Sequence, residues 1–158
     1  MILGIGIDSV EIERFAHWHT YSPKQLKRLF SQEEIDYSLS NPIKTAERFA
    51  ARFAAKEAFY KALCATCTYQ PSFFSIARKV EVIHLQSRPV LKVNSSLNQF
   101  TDQLQPKSLN KLQSNHMLQG TNQINTDKNQ PIAHLSITHT KTTATAFVIL
   151  EENYKKNI

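Results

Sequence analysis

Glu57 and Lys61 stand one helical turn apart in the run RFAARFAAKEAFYKAL, residues 48 to 63, and their types and spacing are the first in this chain to invite chemistry. An acid and an amine so placed form an (i, i+4) ion pair contributing about a few tenths of a kcal/mol, and that is the plainer account of them. The sharper one is a site, because both lie between two apolar stripes where solvation does not call for charge. Asp8 ends the apolar run ILGIGI, residues 2 to 7. With Glu11 three residues on it reads as a helix capping box, or alternatively as a metal ligand. His139 falls in a turn of the closing HLSITHTK segment, where a histidine is usually just exposed. Cys64 and Cys67 are spaced C-x-x-C, but no second pair completes a zinc site, and a redox motif opens a helix rather than following one.

The elements that must position these groups follow from periodicity. Ala51, Ala55, Ala58 and Ala62 form one narrow stripe of a helix from about Thr45 to Leu63, and Phe49, Phe53 and Tyr60 form a second, nearly opposite. The alanine face calls for a neighbour whose backbone approaches closely. The glycines at 4 and 6 make the first strand such a neighbour. Val10 to Trp18 reads as a short helix, Ser22-Pro23 opens another, and Ser31 with Glu34 forms a capping box for a third from Gln32 to about Leu39, ended by Asn41-Pro42. From Phe73 the pattern turns to strand, with a hairpin around Arg88-Pro89, and Ser95 to Leu104 has helical spacing. Residues 105 to 130, rich in Gln, Asn, Lys and Ser, read as a polar insertion that includes His116, and two strands around a turn at His139 to Thr142 close the chain. The predicted fold class is α+β: a small antiparallel sheet packed on a long central helix, as a single domain over residues 1 to 158.

At 158 residues, 41% hydrophobic and 20% charged, the chain suits one globular domain, and no run approaches the roughly 18 apolar residues of a membrane span. Asp8 interrupts the apolar start too early for a signal peptide, so a cytoplasmic protein is expected. Lys plus Arg number 19 against 13 Asp plus Glu, a surplus of +6 that favours polyanionic partners without choosing among them.

Four separated pieces then align: GIGIDSVE at 4 to 11, R-x-F-S-x-E-E at 28 to 34, RFAAKEAFYKA at 52 to 62 and HLSITHTK at 134 to 141. Together they resemble the holo-acyl-carrier-protein synthase family of magnesium-dependent 4′-phosphopantetheinyl transferases, over residues 1 to 100 and 132 to 151. The resemblance implies transfer of the 4′-phosphopantetheine of coenzyme A to a serine of apo-acyl carrier protein, with 3′,5′-ADP leaving, in fatty acid biosynthesis. It implies Asp8 and Glu57 as ligands of Mg²⁺, a cation that takes one or two carboxylates with phosphate oxygens and water. Lys61 would steady charge on the transferring groups, and Glu57 would serve as base, directly or through a coordinated water. Arg52, Lys56, Lys61 and His139 would hold the cofactor. Arg14, with Lys24, Lys27 and Arg28, would meet the acidic carrier protein. A homotrimer with active sites between subunits is implied, with no role for membrane or nucleic acid. Two departures stand out: the family's glycine-rich turn after Lys-Ala is here Leu63-Cys64-Ala65-Thr66-Cys67, and its Gly-Lys-Pro is Ser87-Arg88-Pro89. The competing readings are a non-catalytic basic module for an acidic protein or nucleic acid, and a degenerate homologue.

Overall fold

The computed structural model describes residues 1–65, 70–86, 88–97 and 131–153. The fold is α+β. Strand β1 (Ile2–Glu11) pairs antiparallel with β5 (Thr143–Glu151), which pairs antiparallel with β4 (Ile132–His139), giving the order β1-β5-β4. A second, two-stranded antiparallel sheet holds β2 (Val80–Leu85) and β3 (Arg88–Val93), so the single small sheet expected is two. Among the described residues the α-helices are α1 (Pro23–Leu26), α2 (Gln32–Leu39), the long α3 (Thr45–Cys64) and α4 (Phe73–Ala77).

The central helix lies across the inner face of the three-stranded sheet. That face alternates in register with the strands: Gly4, Gly6, Asp8 and Val10 point inward from β1, and Ala144, Ala146, Val148 and Leu150 from β5. Two of the chain's three glycines therefore lie under α3. At Gly6 the approach is so close that a Cβ would stand 2.0 Å from the Ala58 carbonyl oxygen and 2.7 Å from the Ala62 nitrogen. Only glycine fits there. The expected meeting of alanine stripe and glycine strand is what the fold contains, with Ala55, Ala58 and Ala62 fully buried.

On the other side of α3, aromatic rings fill the space. Phe49 packs on Phe30 with centroids 5.2 Å apart, and Phe53 on Phe15 at 5.4 Å. Edge-to-face and tilted contacts of this kind add to plain area burial. Both serine caps form complete capping boxes, Ser22 with Gln25 and Ser31 with Glu34.

Three local expectations are corrected. No helix covers Val10 to Trp18: β1 continues to Glu11, and 3₁₀ turns follow at Ile12–Phe15 and Trp18–Thr20. Asp8 consequently caps nothing. Residues 73–77 are helical, because the Ser72 hydroxyl accepts from the Ser75 amide and starts a turn before the strand. Arg88 and Pro89 belong to β3 instead of the turn, since Leu85 pairs with Arg88, and Gln86 has φ 50° as tight hairpin turns require. The end of the helix expected over Ser95 to Leu104, the insertion at 105 to 130, His116 and Cys67 lie outside the described residues. No helix among the described residues is long and apolar enough to cross a membrane.

Candidate active site

Asp8 is carried inward by the alternation of β1 and reaches the side of α3 just beyond the Gly6 crossing. Its carboxylate is 8% exposed. One oxygen, Oδ1, accepts a hydrogen bond from the Lys61 ammonium at 2.7 Å, and that ammonium also donates to the Ile7 carbonyl at 3.1 Å. The second oxygen, Oδ2, is buried and accepts from no N–H of the chain, and the neighbouring Glu57 carboxyl can hydrogen-bond to Asp8 only while it is protonated. Leaving a buried carboxylate oxygen unpaired is costly, and such an atom is accounted for when a ligand completes it.

Glu57 supplies the other acid. Burial comes first and the neighbouring Asp8 second in pushing its carboxyl above the ordinary carboxylate range, while Lys61 and Arg14 pull it back. Two carboxyls that share a site in this way resist simultaneous ionisation unless a cation joins them. The orphaned Asp8 oxygen and the proton-hungry Glu57 thus fit a hard cation. No cluster of three or more His, Cys, Asp and Glu is gathered among the described residues, which suits an ion completed by phosphate and water better than a closed protein cage.

The pairing of Lys61 differs from the simple one-turn ion pair: its ammonium goes to Asp8. It is nevertheless half exposed, so part of it faces outward at the mouth of the site. Arg14 lies close enough to act on Glu57 electrostatically, at the rim.

Two residues expected to hold phosphates are placed elsewhere. Lys56 is 1% exposed, paired with Glu34 at 2.9 Å and bound to the carbonyls of Ala77 and Val80. These three acceptors use all three protons of its ammonium. Arg52 is 3% exposed, with its guanidinium 4.1 Å from the Tyr37 ring centroid and a bond to the Arg48 carbonyl. Both point to the side of α3 away from Asp8, because neighbouring residues on a helix diverge by about 100°. Glu34, read only as a capping residue, is the buried partner missed by sequence reasoning. A glutamate held at a fixed capping position beside a buried-stripe lysine was the available signal.

His139 is not brought to Asp8 within one chain. It stands opposite Ala144, whereas Asp8 stands opposite Ala146, and β5 intervenes. Two strand spacings of about 4.8 Å separate the lines on which they lie. Its imidazole faces Glu47 at 3.5 Å. Arg28 lines a groove of about 750 Å³ with Trp18, Tyr21, Leu29, Phe74 and Arg78, and Lys24 stands on the adjoining α1.

Known proteins resemble this chain in sequence and fold. Residues 4–110 match the model of the 4′-phosphopantetheinyl transferase superfamily. A holo-[acyl-carrier-protein] synthase of Treponema denticola is 34% identical over 96% of this chain and 99% of its own length. One from Clostridium perfringens is 31% identical over the whole of both chains. Among solved structures, the Mycobacterium tuberculosis acyl carrier protein synthase superposes with a TM-score of 0.61 at 27% identity, covering 96% of this chain and 99% of that one. The Bacillus anthracis holo-(acyl-carrier-protein) synthase, solved in complex with CoA (3′,5′-ADP), gives 0.62 at 26% identity, covering 98% and 99%. With an inward acid from the first strand meeting an acid and an amine of the central helix, and with full-length relatives above 30% identity, this chain belongs to the holo-acyl-carrier-protein synthase family of the 4′-phosphopantetheinyl transferase superfamily.

Proposed function

We propose that this protein transfers the 4′-phosphopantetheine group of coenzyme A to a serine of apo-acyl carrier protein, in the service of fatty acid biosynthesis in the cytoplasm. The observation that carries the reading is the buried, unpartnered Oδ2 of Asp8 beside Glu57, with the Lys61 ammonium bridging to the same aspartate. The serine oxygen forms a bond to the β-phosphorus of coenzyme A while the bond from that phosphorus to the bridging oxygen breaks. The electron pair leaves with 3′,5′-ADP. Such a transfer depends on positioning and charge neutralisation more than on covalent help from the protein.

Asp8 and Glu57 would hold Mg²⁺, which when bound supplies charge neutralisation for the pyrophosphate oxygens. Lys61, half exposed and anchored by Asp8 and Ile7, is placed to meet the negative charge that grows on the leaving group. Glu57, whose carboxyl holds its proton more tightly than usual, takes the serine proton, directly or through one ordered water.

Arg14 at the rim, together with Arg28 and Lys24 around the aromatic groove, would offer an acidic carrier protein basic side chains to meet. His139 lies two strands from Asp8 in its own chain, so a neighbouring subunit could bring a second His139 to the site, which favours a homotrimer with shared sites. Ile5, Ile7 and Phe147, at 52%, 58% and 37% exposure on the outer face of the three-stranded sheet, offer the apolar surface for that assembly. Light scattering on the parent and on Ile7→Glu tests this, with a monomeric parent the contrary result.

The decisive experiment incubates the protein with apo-acyl carrier protein, coenzyme A and Mg²⁺ and weighs the carrier. A phosphopantetheine adduct on the serine, lost in Glu57→Gln and when chelator replaces Mg²⁺, is expected. An unmodified carrier, or a Glu57→Gln protein that performs like the parent, returns the chain to the binding-module or degenerate-homologue reading.

A further inference from the structure

Lys56 and Glu34 occupy the side of α3 that the proposed chemistry does not use, and no part of that chemistry accounts for burying a charge pair there. Glu34 is fixed by three donors: Oε2 accepts from the Ser31 amide at 2.9 Å and from Lys56 at 2.9 Å, and Oε1 accepts from the Val82 amide at 2.9 Å. Lys56 donates to Glu34 and to the carbonyls of Ala77, at 2.8 Å, and Val80. One ion pair therefore ties α3 to the start of α2, the end of α4 and the first residues of β2.

The sheet side of α3 is held differently. Val10, Val148 and Leu150 pack there and Lys61 reaches Ile7 and Asp8, but at the crossing itself Ala58 and Ala62 meet Gly6, with no side chains long enough to interlock. Helices normally take their rotation and axial register from ridges set into grooves, and the methyl-on-backbone seam at Gly6 supplies little of that. It permits closeness without specifying position. Lys56 lies about 200° around the helix from Ala58, so its bonds act where rotation or sliding of α3 would stretch them most directly. Glu57 is the next residue, and Lys61 is one turn further.

We infer that Glu34 and Lys56 are positioning residues, a directional lock that sets the rotation and register of α3 so that Glu57 and Lys61 meet Asp8. Buried ion pairs seldom add net stability over apolar residues of similar volume, but they can select one arrangement among several. Here the selected arrangement is the 2.7 Å contact between Lys61 and Asp8. Displacing a reacting group by about 1 Å costs on the order of 100-fold in rate, so a small turn of α3 is sufficient to matter.

The turnover arm of the test rests on the transferase reading; the structural arm does not. Lys56→Met alone strands a buried carboxylate and should melt well below the parent. The double variant Glu34→Gln/Lys56→Met removes both charges and should regain most of the lost midpoint. Its kcat should still fall roughly 10- to 100-fold with the KM for coenzyme A nearly unchanged. A crystal structure of it should show the Lys61 ammonium beyond hydrogen-bond reach of Asp8. Parental kcat together with an intact Lys61–Asp8 contact in the stable double variant overturns the inference. If the double variant does not fold, Glu34→Asp keeps both charges while shortening the reach, and the same two readouts decide. If the parent itself modifies no carrier protein, the transferase reading fails and the Lys61–Asp8 separation judges the lock alone.

Discussion

Lys56 and Lys61 stand on the same helix, each facing a carboxylate from a distant part of the chain, and the two pairs are built differently. Lys56 is 1% exposed and Lys61 52%. Glu34 has its oxygens filled by two amides and an ammonium, whereas Asp8 has one oxygen filled and one buried with no fixed donor, only the Glu57 carboxyl beside it. A pair whose every donor and acceptor is matched has nothing left for a ligand and serves the fold. A pair with an unmatched buried oxygen at its centre and an exposed amine at its edge has capacity to bind. For these two lysine–carboxylate pairs, charge type and helix position do not separate structure from function; the satisfaction of the carboxylate and the exposure of the amine do.

The largest effect expected lies on the open pair. Asp8→Asn and Glu57→Gln should each lower transfer at least ~1000-fold, about 4 kcal/mol of barrier, in the carrier-mass assay. Retained activity in either would erase the distinction. On the closed pair the effect should appear in stability first: Lys56→Met should cost about 3–5 kcal/mol in urea unfolding, as stranded buried charges do. A cost below about 1 kcal/mol would place Lys56 among ordinary surface lysines. Gly6→Ala sits beneath the open pair. Its new Cβ must push β1 off the Ala58 carbonyl, so we expect about 1–3 kcal/mol lost together with activity.

A smaller effect concerns salt. Turnover should fall as ionic strength rises over roughly 50 to 300 mM, because the Debye length shortens and steering of an acidic carrier weakens. Smallest is the effect of Glu57→Gln on stability. Since the folded protein lifts the Glu57 pKa, its ionisation costs stability as pH rises through that value. The glutamine variant should therefore melt about 1–3 °C higher near neutral pH, with solvent screening keeping the gain small. That gain should vanish in acid, where the parent carboxyl is protonated in both states, and should shrink when Mg²⁺ stabilises the parent. A variant that melts lower at neutral pH would show that the open pair carries no stored cost.

Much of the arrangement was legible because its signals are local. Ser31 and Glu34 announce a helix start three residues apart, and the four spaced alanines of α3 announce a close neighbour. The misses share a cause, which is that the partner decides. Glycine carries no hydrophobic signal, so the inward alternation Gly4, Gly6, Asp8, Val10 looked like a strand ending at Ile7 when it continued to Glu11. Phe73 and Phe74 favour strand intrinsically, yet one serine cap turned them into helix. Lys56 appeared available for phosphate because its partners lie in α2, α4 and β2, at separations no helical period reveals. His139 is read as cofactor-binding from its motif alone, and the strand order β1-β5-β4 sets it two strands from Asp8 in its own chain.

That same strand order has a consequence for the timing of activity. The hydrogen-bonding partner of β1 is β5, residues 143 to 151, so the strand bearing Asp8 has no mate until those residues have been made. Pairings across such separations are closed late, because the loop entropy is spent before the contacts repay it. Helix α3 and its capped neighbours are local and can form early. The acid of the first strand is thus made first and seated last: during synthesis on the ribosome, Asp8 should take its place beside Lys61 only after β5 has emerged.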